Sequence, residues 1–211
     1  MSMARRPSGR KVRFPPDIQV GIGNAEGMTA STETTRTHWA AATAGPAAAY
    51  QIRPIHPDVL SELRERDDAG APLRVMVDEE GGSPLRCCLR RISPGEQVAL
   101  VSYAPLRRWA RATGADPGAY DETGPVFIHP GPCPGPASES YPEALAGAPR
   151  VFRCYAADGR ILRGRLFGVG EPSDASSAEV VLAGIFDDSA VAVVHIRAVE
   201  FGCFAFEARR R

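Results

Sequence analysis

Four prolines at alternate positions, Pro130, Pro132, Pro134 and Pro136, restrict this chain more than any other feature. Each proline fixes its own φ and removes a backbone donor. Each also pushes the residue before it to extended geometry, so His129 and Cys133 are held near β or polyproline angles. Such a segment has a narrow unfolded ensemble and costs little entropy to order. The run Gly124-Pro125-Val126-Phe127-Ile128 before it reads as a short apolar strand. A strand therefore feeds a stiff loop that carries an imidazole and a thiol at fixed separation. Loops of this kind commonly carry chemistry. The same residues also read as a well-packed crossing between sheet elements.

The 211 residues fit one domain with appendages. Hydrophobic residues make up 44% and charged residues 24%, which leaves enough apolar material for a core. The formal net charge is zero, so nucleic acid is not expected as a partner. No apolar run approaches the roughly 20 residues that span a bilayer, and the N-terminus lacks an apolar export region. A membrane is not expected as a partner either. The five cysteines are Cys87, Cys88, Cys133, Cys154 and Cys203. An odd number with no export signal predicts reduced thiols in the cytoplasm. No C-x-x-C occurs, so the strongest zinc and redox signatures are missing.

Residues 1–48 differ from the rest. Residues 1–27 carry Arg5, Arg6, Arg10, Lys11 and Arg13 among Gly, Pro and Ser, and residues 28–48 are rich in Thr and Ala. The composition predicts a disordered or low-complexity tail, with Met28 as an alternative start. Residues 49–211 are expected to form a single α+β domain, a mainly antiparallel β-sheet with a few short helices. Strands are predicted at 50–55, 73–77, 85–92, 97–103, 126–129, 190–197 and 201–207. The strands at 85–92 and 97–103 would pair through Ser93-Pro94-Gly95-Glu96 as a hairpin. On such a strand the adjacent Cys87 and Cys88 point to opposite faces, which argues against a shared role and makes at least one a small core hydrophobe. Helices are predicted at 59–66, opened by His56-Pro57-Asp58, in the first part of 105–120, where Leu106, Trp109 and Ala110 fall at helical spacing before an irregular loop, and at 178–186 after a polar loop at 171–177. One helical turn at 141–145 would take Ser140 as its cap. Asp158-Gly159 predicts a hairpin over 151–168 with Tyr155 facing Leu162, Cys154 facing Arg163, Arg153 facing Gly164 and Phe152 facing Arg165. Arg209-Arg210-Arg211 reads as a solvated tail.

Alternation along 190–197 sends Val194 and Ile196 one way and Val193, His195 and Arg197 the other. A closing hairpin centred on Val199 would set His195 opposite Cys203. The chain then offers two His–Cys pairs, His129 with Cys133 and His195 with Cys203. Three readings follow. A thiol beside an imidazole can act as a nucleophile, with Arg197 stabilising a developing oxyanion. Two His and two Cys can also hold tetrahedral zinc, although H-x3-C and H-x7-C are not finger spacings. Or the groups are buried, satisfied and structural. The candidate catalytic residues are Cys133, His129, His195 and Cys203, with no metal and no cofactor assigned. The candidate ligand-binding cations are Arg197, Arg153, Arg163 and Arg165; Arg163 and Arg165 also read as solvated edge-strand charges. The leading expectation is a cytoplasmic small-molecule enzyme with a Cys/His site, in a biosynthetic pathway. Its rival is a non-catalytic module for a small anionic ligand or a protein partner.

The segment Gly124 to His129 with Cys133, then His195-Ile196-Arg197 with Gly202-Cys203, resembles a bacterial family described only as a domain of unknown function. The likeness covers roughly Tyr50 to Phe206. It implies a small bacterial domain of about this length and brings no activity with it.

Overall fold

The computed structural model describes residues 49–211; the expectations of a disordered and low-complexity tail at 1–48 lie outside the described residues. Along the chain come β1 (Tyr50–Arg53), α1 (Pro57–Glu65), β2 (Val75–Asp78), β3 (Glu96–Tyr103), α2 (Pro105–Thr113) and β4 (Gly124–Ile128). They are followed by β5 (Arg150–Tyr155), β6 (Ile161–Phe167), α3 (Ala175–Phe186), β7 (Val193–Ala198) and β8 (Phe204–Arg210). Five strands form one sheet in the order β1-β8-β7-β5-β6, and three form another in the order β2-β3-β4. Every strand pair in both sheets is antiparallel, so the predicted α+β class holds. No described helix is long and apolar enough to cross a membrane.

The larger sheet is covered on both faces, because alternate residues of its central strands meet different helices. Val194 and Ile196 of β7 join Phe152, Phe206, Leu182, Ile185 and Phe186 in a cluster under α3. Val193 and Tyr155 point the other way, to Leu106, Trp109 and Ala110 of α2. That division matches the alternation read from the sequence, and it explains why β7 is buried from Val193 to Arg197. Helix α3 begins three residues earlier than predicted. Asp174 accepts from the Ser177 N–H at 2.9 Å, which caps the first turn and brings Ala175 and Ala178 into the buried face. Helix α1 starts on Pro57 and packs Leu60 and Leu63 against the smaller sheet.

Four predictions fail locally. Residues 85–92 are not a strand: Leu89 N–H reaches the Leu85 carbonyl at 2.9 Å, a single helical turn, and Leu85 N–H bonds the Arg90 carbonyl at 2.8 Å. The segment closes on itself, and β3 pairs with β2 and β4 instead. Ser140 caps nothing; the short helical turn is Glu143–Leu145 and starts after Pro142. The closing hairpin sets His195 opposite Glu207, not Cys203, because its loop runs over 199–203 rather than turning at Val199. The terminal arginines are not a loose tail. Arg209 and Arg210 lie in β8, and Arg210 donates to the Phe186 and Asp188 carbonyls, both at 2.8 Å.

Candidate functional site

Strand β4 ends at Ile128, and Pro130 holds His129 extended at the strand's exit. The proline loop then returns Cys133 beside it. Arg64 of α1 fastens this loop, with Nε on the His129 carbonyl at 3.2 Å and Nη2 on the Gly131 carbonyl at 2.7 Å. Facing it is the closed segment 82–92. Asp78 Oδ1 accepts from the Gly81 N–H at 2.7 Å, and Gly82 N–H bonds the Ile92 carbonyl at 2.8 Å. Gly81 sits at φ 72°, where an added Cβ would lie 2.8 Å from the Ile92 oxygen, so only glycine fits. Arg86 N–H bonds the Phe127 carbonyl at 2.9 Å and docks the segment onto β4. Leu89 adopts φ 57°, a left-handed conformation that costs a bulky residue about 1–2 kcal/mol. The bend turns both Cys87 and Cys88 toward His129.

The thiols of Cys87, Cys88 and Cys133 and a ring nitrogen of His129 all lie within 4.8 Å of one another. Cys87 Sγ is 3.1 Å and Cys88 Sγ 3.9 Å from His129 Nδ1. The His129 N–H also donates to Cys87 Sγ at 3.3 Å. On the far side of the ring, Nε2 meets Glu96 Oε1 at 2.9 Å. Glu96 in turn accepts from the Ser93 N–H at 2.9 Å and pairs with Arg90 through both carboxylate oxygens. The Arg90 guanidinium holds the Glu96 carboxyl well below the usual carboxylate range. Arg90 Nη2 also lies 3.0 Å from Nε2. In the tautomer with its proton on Nε2, the ring donates to the ionised Glu96 carboxylate and the Nδ1 lone pair is aimed at the thiols. The hydrogen bond from Cys87 pushes Cys88 toward thiolate, and the same bond together with burial keeps Cys87 protonated.

Of the sequence candidates, His129 and Cys133 are together in this cluster; His195 and Cys203 are not part of it. His195 is fully buried between the Tyr155 and Phe204 rings, at 4.7 Å and 5.2 Å between centroids. Neither of its nitrogens has a hydrogen-bond partner among the described residues. Cys203 is half-buried near the start of β8. All four candidate arginines have carboxylate partners within the chain. Arg153 reaches Glu122 at 2.7 Å, and Arg197 pairs with the same Glu122. Arg163 meets Asp188 at 2.5 Å and Arg165 meets Glu171 at 2.7 Å. The sequence reading set aside Cys87 and Cys88, the two groups that complete the cluster. The signal for them was the lack of alternation: Leu85, Cys87, Cys88, Leu89 and Ile92 are all buried, which no two-faced strand would require.

Burial drives the His195 imidazole well below its usual range, and Arg197, Arg209 and Arg153 act in the same direction. Glu207, 3.8 Å away, is pushed up by burial, and the Tyr155 hydroxyl is pushed up as well. Below about pH 6.5 an unfolded histidine takes a proton that buried His195 refuses, so stability falls as pH drops. Glu207 acts in the opposite sense, since its folded form keeps a proton that the unfolded form releases. Replacing His195 with Phe removes only the first effect. Urea unfolding should show that the variant loses about 2 kcal/mol less than the parent between about pH 7.5 and about pH 5. Equal losses would mean that His195 accepts a proton in the fold.

A family model described as "Protein of unknown function (DUF1203)" matches residues 82–210. The match takes in every residue of the cluster and leaves β1, α1 and β2 outside. No curated protein and no solved structure matches the chain.

Proposed function

The chain belongs to the DUF1203 family, and from that premise we propose that it is a metal-binding protein whose Cys87, Cys88, Cys133 and His129 hold one zinc ion. The observation that carries this is the convergence of three thiols and Nδ1 within 4.8 Å, with the far ring nitrogen on a carboxylate. Zinc takes Cys and His ligands in a tetrahedron with Zn–S about 2.3 Å and Zn–N about 2.0 Å. Those bonds put the donors about 3.8 Å apart. Small side-chain rotations therefore close the cluster around an ion. The carboxylate behind His129 is the usual partner of a ligating imidazole. Three thiolates and a neutral histidine around a divalent ion leave one net negative charge, and Arg90 lies beside it to offset that charge. Binding releases the thiol protons. Four protein ligands leave no open position, so the ion acts as a clamp that locks segment 82–92 onto β4 and the proline loop.

A second reading rests on Cys88. Its thiol is pushed toward thiolate, and it lines a cleft of about 510 Å³ with Tyr141, Ser140 and Glu179. This supports a cysteine nucleophile acting on a small molecule, with His129 as base. All five cysteines are free, which suits a reducing compartment and a cytoplasmic protein. One experiment separates the two readings. Metal analysis of the purified full chain, with alkylation by iodoacetamide before and after chelation, is expected to find one zinc per chain. It should also find Cys87, Cys88 and Cys133 protected until the ion is removed. A metal-free protein whose Cys88 alkylates at once would favour the nucleophile.

A further inference from the structure

A second cleft, of about 660 Å³, lies where the two sheets meet, away from the cluster's thiols. Arg86, Arg91 and Arg150 line it. Arg86 is 4% exposed and Arg150 6% exposed. Buried guanidinium groups are ordinarily paired with carboxylates. These are not, among the described residues. Arg86 Nε donates to the Phe204 carbonyl at 2.8 Å and Nη1 to the Pro84 carbonyl, and its Nη2 makes no bond. Arg150 donates to the Pro149 carbonyl at 2.9 Å and the Leu145 carbonyl at 3.1 Å, and its Nε finds no acceptor. Exposed Arg91 donates only to the Gly82 carbonyl, at 2.8 Å. Two buried cations and an exposed third thus share one concavity, and none of them has an ion pair among the described residues. The lining also includes the apolar side chains Leu100, Phe127 and Phe201, and Phe201 is 87% exposed. Glu200 lies at the rim, exposed and without an ion pair.

We propose that this cleft binds a small organic anion, its carboxylate or phosphate head on Arg86, Arg91 and Arg150 and its apolar body against Phe127 and Phe201. Guanidinium donors suit either head, because both present paired oxygens to the planar fork. The apolar side chains favour a ligand with a ring or short chain over the bare ion. The site uses none of the four cluster ligands, although Arg86 and Arg91 lie on segment 82–92, and it uses none of the cations that the sequence put forward for anion binding.

The full chain is titrated with phenylacetate and, separately, with inorganic phosphate, followed by amide NMR. Saturable shifts at the amides of Arg91, Phe201 and Cys203 are expected with at least one of them. Tighter binding of phenylacetate identifies a carboxylate ligand, and tighter binding of phosphate a phosphorylated one. Affinity should fall about tenfold or more in Arg91→Ala and rise in Glu200→Gln, which removes the rim carboxylate. Arg91 and Glu200 are exposed, so both variants keep the fold even if Arg86→Met does not. No shift with either probe at high millimolar concentration, or binding unchanged in Arg91→Ala, overturns the proposal.

Discussion

Replacing Cys133 with serine is expected to remove the bound zinc and to lower the unfolding free energy by about 3 kcal/mol or more. Packing alone predicts nothing of the kind. Cys133 is half-buried in the proline loop, and its thiol makes no hydrogen bond among the described residues. A single substitution at a partly buried position packed against the core ordinarily costs about 1 kcal/mol. The large effect arises only if the thiol is one of four ligands, since metal-binding energy is then folding energy. The proline loop and segment 82–92 meet mainly through these groups, so losing the ion frees both. Urea unfolding of the variant and the parent, with and without a strong chelator, reads this directly. Chelation should bring the parent down to the level of Cys133→Ser and leave the variant unchanged. A variant as stable as the parent, with both indifferent to the chelator, would assign the stability to packing.

Glu96→Gln is expected to weaken zinc binding about 10- to 100-fold while the fold persists. The carboxylate does three things at once. It accepts a hydrogen bond from His129 Nε2 and another from the Ser93 N–H, and it holds Arg90 beside the cluster. Glutamine keeps the shape but has no charge, so the imidazole becomes a poorer donor to the ion and Arg90 loses its ion pair. Competition with a chromogenic zinc chelator measures the change. Equal affinity in the two proteins would mean that Glu96 serves only the surface pair with Arg90.

The most local parts of this architecture were legible in the chain. Asp158-Gly159 specified its hairpin well enough that Phe152–Arg165, Arg153–Gly164 and Cys154–Arg163 pair as read. The reading slipped at Tyr155, which faces Ile161 and not Leu162, because a bulge follows Cys154. Bulges add a residue without a strong sequence mark. The proline loop was legible for a related reason: restriction by Pro130 acts on His129 directly, whatever the rest of the chain does.

What failed was whatever needed distant partners. Leu85 to Ile92 carries the composition of a strand, but the Phe127 carbonyl and the Ile55 N–H tie it from outside and bend it. Read as a strand, it sends Cys87 and Cys88 to opposite faces, which argues against a shared role. Half of the candidate site was thus lost to one wrong element. Arg64 could not be found at all, because a helix-face arginine bonding carbonyls in a loop about two-thirds of the way along the chain leaves no periodic trace. His195 was chosen for its chemistry, and the structure instead sets it among aromatic rings, opposite Glu207.

X-ray absorption at the zinc edge of the purified full chain tests the central claim most directly. Three sulfur neighbours at about 2.3 Å and one nitrogen at about 2.0 Å are expected, with no zinc-edge signal from Cys133→Ser. Protein that carries no zinc after growth and reconstitution, or zinc bound only by oxygen and nitrogen, would contradict the account.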